Sequence, residues 1–228
     1  MGSRPGDRYL ERIGRDQRPA DQLGSFIYDE PRDRFISACG IRANTAAGIH
    51  CDVTAFTLEG PLAGRWAALT PKTTTIPEGR YGFAHGLDAE ADQLLIFSGA
   101  RAPTANDSVN PAVDAWALKL DQNPVEWAPV STTGDTPAGV RNSCYAFDPI
   151  GRRLVVFGGT PDAQTTRQGV FELNIDGNAG RWQELDLPNT PDFRSSCSAI
   201  YDPSGQRILF GFGNNAQTIY ADFHALNL

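Results

Sequence analysis

Long apolar runs and helical periodicity are both missing from this chain of 228 residues. Because no stretch of about 18 apolar residues occurs, we predict no membrane-spanning helix. Almost no segment repeats apolar residues at the helical period of about 3.6, so little helix is expected. The 23 glycines and 16 prolines instead favour short strands joined by tight turns.

Positive charge is also scarce. The chain has 20 Lys and Arg residues against 27 Asp and Glu, with a formal net charge of -7 and a pI near 4.9. Since phosphate binding needs a basic surface, we predict no nucleic-acid partner. The polar start of the chain lacks the apolar core of a signal peptide. We therefore predict a soluble protein and favour the cytoplasm, with secretion after signal-peptide removal as the alternative.

Cysteine is limited to four residues, and their spacing matches no zinc motif of the CxxC type. Cys39 ends one apolar run and Cys51 begins the next, so a disulfide across that hairpin is one alternative. Cys144 and Cys197 lie among small residues and are predicted to be buried free thiols. Four free cysteines is the interpretation that we favour.

One pattern recurs four times along the chain. In each copy an Asp precedes a Gly by eleven residues, with an apolar run of strand-forming residues between them. Steps of 59, 60 and 54 residues separate the successive Asp residues, and such a period is typical of a repeat architecture. The four pairs are Asp29 and Gly40, Asp88 and Gly99, Asp148 and Gly159, and Asp202 and Gly213.

Other residues keep the same period, which therefore predicts four short strands per repeat. A Trp follows the repeat Gly in three copies, an Arg opens three periods, and an aromatic column lies between Gly and Trp. The Trp residues, which we predict to be structural, are Trp66, Trp127 and Trp182. The opening arginines are Arg80, Arg141 and Arg194. The column consists of Phe56, Trp116, Phe171 and His224.

This pattern resembles the kelch repeat. The resemblance rests on the opening Arg, the turn Asp, the Phe157-Gly158-Gly159 end of the second strand and the later Trp182. It implies an all-β, kelch-type propeller with about four four-stranded blades. We predict a single domain over residues 1–228, with blades over 21–70, 78–131, 138–187 and 192–228, the last completed by an N-terminal strand over 9–14.

The two ends of the chain are at the same phase of the repeat. The last repeat stops at Leu228 after its third strand, and Leu10 to Ile13 has the apolar spacing of the missing fourth strand. Pairing of the two would remove open strand edges, which are templates for aggregation. Three alternatives fit: a four-bladed ring in one chain, a fragment of a longer ring, and a homodimer that forms an eight-bladed ring.

Strand direction sets the predicted binding surface. Because strands alternate within a blade, the loops between second and third strands share one face with the loops between blades. That face carries the longest loop segments, over 41–50, 70–79, 100–113 and 131–140. Binding residues concentrate on loops that a rigid scaffold holds. We call this side the loop face, and the opposite side, with its short turns, the turn face.

The candidate ligand-binding residues lie on the loop face. Two arginines stand two residues after the repeat Gly, where the other blades have Pro161 and Asn215. The opening arginines are predicted to line the mouth of the ring, and their alternative role is to bond backbone or a neighbouring blade. Arginines on an acidic protein suit an acidic peptide or a carboxylate. The six candidates are Arg42, Arg101, Asn215, Arg80, Arg141 and Arg194.

Catalytic groups do not converge in the sequence. His50, His85 and His224 lie on different strands or loops, and the last two replace apolar residues of other repeats, so we predict that they belong to the core. The chain has no HExxH, GxSxG or Gly-rich phosphate motif. The recurring Asp is predicted to cap turns. We therefore predict no catalytic residue, no metal site and no cofactor.

Kelch-like propellers include enzymes as well as binding modules. We can place neither the copper ligands of galactose oxidase nor the Glu-x3-Asp-x3-His iron site of plant specifier proteins on this sequence. A sialic-acid mutarotase of this fold needs no metal, so the resemblance leaves a metal-independent carbohydrate-active enzyme, such as a sugar mutarotase, as an alternative. We favour a non-catalytic module that binds a protein, a peptide or a small ligand on the loop face.

Overall fold

A computed structural model of the chain describes residues 21–43, 45–102, 110–160 and 169–228. The first repeat forms blade one, a four-stranded antiparallel sheet in the order β1-β2-β3-β4. Its strands are β1 Ile27–Asp29, β2 Arg34–Ile41, β3 Ile49–Thr57 and β4 Arg65–Ala68. Two short 3-10 helices lie in its loops, at Glu30–Arg32 and Ala46–Gly48.

The later repeats form three further blades. Blade two consists of β5 Ala84–Asp88, β6 Gln93–Phe97, β7 Ala115–Lys119 and β8 Glu126–Gly134. Blade three consists of β9 Cys144–Asp148, β10 Arg153–Phe157, β11 Val170–Asp176 and β12 Ala179–Leu185. Blade four has three strands in the described ranges, β13 Ser198–Asp202, β14 Arg207–Gly211 and β15 Phe223–Asn227.

The prediction of an all-β, kelch-type propeller is confirmed. The predicted strand at Leu10 to Ile13 lies outside the described residues, and the assignment of the whole chain to one domain stays a prediction. None of the helices in the described ranges is long and apolar enough to cross a membrane.

Blades two and three are joined along their outer strands. Residues 131–134 of β8 continue past blade two and pair in parallel with residues 179–182 of β12. The two blades therefore form one eight-stranded sheet. We expected residues 131–140 to be a loop, and the prediction is wrong for the first four of them. The β-branched residues Thr132 and Thr133 suit a strand, and the edge of β12 supplies its partner.

The apolar core lies between blades, because side chains alternate sides along each strand. One buried cluster joins blades one and two, a second joins blades two and three, and a third joins blades three and four. Trp127 is buried in the first and Trp182 in the second, where its ring lies 4.5 Å from that of Phe97. Trp66 is half-buried on the side of blade one that faces away from blade two.

The strand register shows that one predicted equivalence between repeats is wrong by one residue. Tyr81 bridges to Ala100 at the start of blade two, and Arg141 makes the matching bridge to Thr160 in blade three. Arg141 therefore corresponds to Tyr81, and Val140 takes the position of Arg80 and Arg194. The prediction that Arg141 opens blade three in the same way as those two arginines is wrong.

The predicted aromatic column is also displaced in blade one. Ala38 pairs with Val53 just as Phe97 pairs with Ala115, which makes Thr54 the counterpart of Trp116. The Trp positions, in contrast, are equivalent. The three facing pairs are Phe56 and Trp66, Leu118 and Trp127, and Leu173 and Trp182.

All four cysteines form disulfides, so the preference for free thiols is wrong. The bond between Cys39 and Cys51 closes the hairpin in blade one, as the alternative proposed. The bond between Cys144 and Cys197 joins blade three to blade four. These two residues stand one register position apart in neighbouring blades, so alternation turns their side chains toward each other.

The recurring Asp of each repeat holds the turn between the first two strands, as predicted. Each Asp side chain accepts a hydrogen bond from the residue five positions later, within 2.7–3.0 Å. The pairs are Asp29 with Arg34, Asp88 with Gln93, Asp148 with Arg153, and Asp202 with Arg207. Hydrogen bonds from Ser204, then Arg207, lower the pKa of Asp202 to about 2.

Candidate functional site

A buried arginine opens blade two on the loop face. Nε of Arg80 donates to the carbonyl of Glu78 at 3.1 Å, and Nη1 donates to the carbonyl of Ser98 at 3.2 Å. Both Nη atoms donate to the carboxylate of Asp114, at 2.5 and 3.2 Å. The guanidinium is thus fully bonded within its own blade.

Blade four repeats this arrangement. Nε of Arg194 donates to the carbonyl of Asp192 at 3.1 Å, Nη1 donates to the carbonyl of Phe212, and both Nη atoms donate to Asp222. The guanidinium also lies 3.8 Å above the ring of Tyr220. Equivalent Arg–Asp ion pairs therefore stabilise the loop-face ends of blades two and four.

Burial settles the role of these two arginines. Arg80 is 0% exposed and Arg194 is 1% exposed, so neither offers a donor to a ligand at the surface. Their inclusion among the ligand-binding candidates is contradicted, and the alternative role, bonding of backbone and blade, is the observed one. Val140 and Gly169 occupy the two positions in blade three, so these two residues form no ion pair there.

The carboxylates of these pairs stay ionised. Burial alone would raise the pKa of Asp114, but the hydrogen bonds from Arg80 and Trp116 outweigh it and lower the pKa. The hydrogen bond from Arg194, then that from His224, holds the pKa of Asp222 well below its usual range. Both pKa values are lower in the folded state than in the unfolded state. The two ion pairs therefore stabilise the fold above a pH of about 4, the unfolded pKa of Asp. This stabilisation is lost as the pH falls through the folded pKa values.

Blade one builds its Arg–Asp contact from a different arginine. Asp21 takes the position of Arg80, and Asp52 takes that of Asp114. Arg42 lies between the two, with Nε 2.8 Å from Asp21 and Nη1 3.0 Å from Asp52. His50 lies 3.3 Å from Asp21, and burial lowers its pKa despite that carboxylate. In three blades an arginine therefore pairs with the carboxylate at the position of Asp114.

Arg101 is the counterpart of Arg42 in blade two. Nη1 donates to Glu78 at 2.7 Å, while Nε and Nη2 donate to the main chain and side chain of Asn110 at 3.1 Å. The side chains of Arg42 and Arg101 are 34% and 29% exposed. Both guanidinium groups are held in place by acidic partners and still reach the surface of the loop face.

Asn215 has a local role in blade four. Its side-chain oxygen accepts hydrogen bonds from the amides of Gln217 and Thr218, and its nitrogen donates to the hydroxyl of Tyr220 at 2.6 Å. The residue therefore organises its own turn. Pro161, at the same repeat position in blade three, lies outside the described residues.

Arg141 lies near the start of the inner strand of blade three. Its side chain is half-buried, and its Nε atom is buried without a hydrogen-bond partner. The equivalent Tyr81 donates its hydroxyl to the carbonyl of Ala102 at 3.0 Å. Of the three opening arginines, Arg141 is thus the one with unused donor capacity.

Sequence reasoning missed a set of carboxylates on the loop face. Asp52, Asp114 and Asp222 stand at one repeat position, and their side chains are about half exposed. Loops of different length separate them from the repeat Gly, so the sequence spacing does not align them. The residue two places after the Asp gives a partial signal in the sequence. Nε1 of Trp116 donates to Asp114 at 2.8 Å, and Nε2 of His224 lies 2.9 Å from Asp222.

The other histidines contact aromatic rings. His85 lies 2.9 Å from the hydroxyl of Tyr145 and packs on Phe83, and burial lowers its pKa to about 4. His224 stacks on Phe210 with 5.4 Å between ring centres. Within the described ranges, no group of three or more His, Cys, Asp or Glu residues is placed to hold a metal ion.

Comparisons with known proteins agree with this architecture. The chain resembles the structure of YjhT, with a TM-score of 0.61 and 16% identity over 85% of this chain and 59% of that one. It also resembles a fungal alcohol oxidase of the AA5 family in complex with copper, with a TM-score of 0.54 and 12% identity over 91% of this chain and 53% of that one. The chain thus spans less than two thirds of either neighbour.

Curated protein sequences give no match. A family model does match, over residues 34–228, and it is described as the KLHDC2/KLHL20/DRC7 Kelch-repeats domain. The matched residues include three of the four turn Asp residues, all four repeat Gly residues and all three repeat Trp residues. The chain therefore belongs to this Kelch-repeats family.

Proposed function

We propose that this chain is a non-catalytic interaction module that binds an acidic peptide on its loop face. The observation that carries the proposal is the pair Arg42 and Arg101. They occupy one repeat position in adjacent blades, reach the surface, and are held by carboxylates. A guanidinium that is already ordered loses less conformational entropy when it binds a ligand.

The surroundings of the two arginines favour a peptide over a simple anion. The half-exposed carboxylates of Asp52 and Asp114 lie beside guanidinium donors. A peptide carries backbone N–H donors as well as acidic side chains, so it can satisfy both kinds of group.

Removal of both exposed arginines should weaken ligand binding by a factor of ten or more. Each charge-assisted hydrogen bond contributes roughly 1.5–3 kcal/mol. The ligand is first selected by screening the labelled protein on peptide and glycan arrays. Isothermal titration with the selected compound then compares the parent with the Arg42→Ala, Arg101→Ala double variant. Thermal stability should change little, since exposed ion pairs contribute about 0–1 kcal/mol.

A matched control uses two arginines away from the loop face. Arg65 and Arg181 are exposed on the outer strands β4 and β12, and their double replacement by Ala removes the same charge. This control should bind as the parent does. Equal affinity of the parent and the Arg42→Ala, Arg101→Ala variant would overturn the proposed surface. Turnover of a sugar anomer without a metal would replace the binding module with the mutarotase alternative.

A further inference from the structure

A crevice lies between blades one and two on the turn face. Its cavity of about 460 Å³ falls in the range of about 300–1,000 Å³ that small-ligand sites usually have. The walls come from the turn that leads into β2, from residues 68–70 between the two blades, and from residues 120–125 between β7 and β8. The crevice is therefore distinct from the loop face, where we place the peptide.

Two arginines line this crevice and differ in how their donors are used. Nη1 of Arg32 donates to Asp29 at 2.9 Å and to Asp92 at 3.0 Å, and Nη2 donates to Asp92 at 2.5 Å. Arg34 donates through Nε to Asp29 at 2.7 Å, but within the described ranges its Nη atoms make no hydrogen bond. Its side chain is only 16% exposed, and a partly buried charged donor is costly to leave unpaired.

Blade three shows which group completes an arginine at this position. Arg153, the counterpart of Arg34, donates through Nε to Asp148 and through Nη1 to Glu172, both at 2.9 Å. The strand pairing places Ala55 of blade one at the position of Glu172. Blade one therefore keeps the turn Asp but lacks the second carboxylate, and the terminal donors of its arginine are left for a ligand.

The rest of the lining suits a ligand with an apolar body and a single negative charge. Leu120 and Val125 belong to the buried cluster between blades one and two, and Leu69 packs against it. The exposed carboxylate of Asp121 also lines the crevice, and it accepts a hydrogen bond from Gln122 at 2.9 Å. Like charges repel each other, so this carboxylate disfavours a ligand with a second negative charge.

We infer that this crevice binds a small monocarboxylate with an apolar body. The ligand carboxylate accepts hydrogen bonds from the Nη atoms of Arg34, in the place that Glu172 takes in blade three. The apolar body packs against Leu69 and the turn between β7 and β8. Guanidinium and carboxylate groups match in charge and in planar geometry, which makes such a contact both strong and specific.

Nuclear magnetic resonance titration of the labelled protein with sodium benzoate tests this inference. Benzoate should shift the backbone amide signals of residues 69–70 and 120–123. Benzamide has the same ring without the charge and should bind about tenfold or more weakly, because it loses the charge-assisted hydrogen bonds. Phthalate, which carries a second carboxylate, should also bind more weakly than benzoate.

Two substitutions copy other blades of the same chain. Arg34→Gln copies Gln93, which keeps the hydrogen bond to its turn Asp at 3.0 Å, and should weaken benzoate binding about tenfold or more. Ala55→Glu copies Glu172 and supplies the carboxylate from within the blade, so it should also weaken binding. Circular dichroism checks that each variant keeps its strand signal. If Ala55→Glu does not fold, Arg34→Gln carries the test alone.

Two controls separate this crevice from other arginines. Arg207 stands at the same repeat position in blade four, and Arg207→Gln removes the same charge, so this variant should bind benzoate as the parent does. The Arg42→Ala, Arg101→Ala variant should also keep the amide shifts at the crevice. Loss of peptide binding in that variant would therefore leave the carboxylate site intact, and the two proposals can fail independently.

Three results would overturn the carboxylate site. The first is a benzoate titration that leaves the amide signals of residues 69–70 and 120–123 unchanged at every concentration. The second is equal affinity for benzamide and benzoate, because the charge would then play no part. The third is equal benzoate affinity of the parent and Arg34→Gln, since the guanidinium would then not be the group that binds.

Discussion

Replacement of Trp127 with alanine should lower the free energy of unfolding by about 3–5 kcal/mol. The indole is buried between blades one and two, against residues of both. Its Nε1 atom has no hydrogen-bond partner, so the loss comes from apolar contact and from the cavity left behind. Urea denaturation, followed by tryptophan fluorescence and circular dichroism, measures the change.

Trp66 is the matched control, because it stands at the same repeat position in blade one. It is half-buried on the side of blade one that faces away from blade two, so Trp66→Ala should cost less than about 2 kcal/mol. Equal losses at the two positions would mean that the contact between blades does not stabilise the fold as described.

Replacement of Asp114 with glycine should cost about 3–5 kcal/mol, because it leaves the buried charge of Arg80 without its carboxylate. The double variant Arg80→Val, Asp114→Gly should recover most of that loss. It copies Val140 and Gly169, which blade three carries at these positions. Both variants carry glycine in place of Asp114. The difference between their free energies of unfolding, measured by chemical denaturation, therefore gives the effect of the unpaired charge.

Asp52 provides the comparison for this ion pair. It stands at the same repeat position in blade one, but its partner Arg42 reaches the solvent. Asp52→Gly should therefore cost about 1 kcal/mol or less beyond the effect of glycine itself. A double variant that is no more stable than Asp114→Gly alone would contradict the idea that burial of an unpaired charge dominates the loss.

The sequence predicts the blades well because their signals are local. The turn Asp, the repeat Gly and the Trp each act within one hairpin. Their order and approximate spacing stay recognisable although the loops differ in length. Arg141 shows the limit of this reasoning, since a displacement of one residue moves a side chain to the other side of the strand. Only the bridge between Arg141 and Thr160 reveals that Val140 is the true counterpart of Arg80.

Contacts between blades are harder to predict from one sequence. The bond between Cys144 and Cys197 joins residues 53 positions apart, and neither lies in a hairpin with the other. Loops of different length precede Asp52, Asp114 and Asp222 in their repeats. The strand register of the structure shows that the three residues are equivalent, whereas their spacing in the sequence does not. On the candidate site, sequence reasoning placed Arg42 and Arg101 at equivalent positions, but it could not tell that Arg80 and Arg194 are buried.

Hydrogen exchange with and without the selected ligand reports which face of the propeller the ligand covers. We predict that ligand binding slows exchange at residues 41–43, 78–81 and 100–102 on the loop face. Exchange at the turn-face residues 148–151 and 202–205 should not change. Protection confined to those turns, with exchange on the loop face unchanged, would show that the ligand does not bind the loop face.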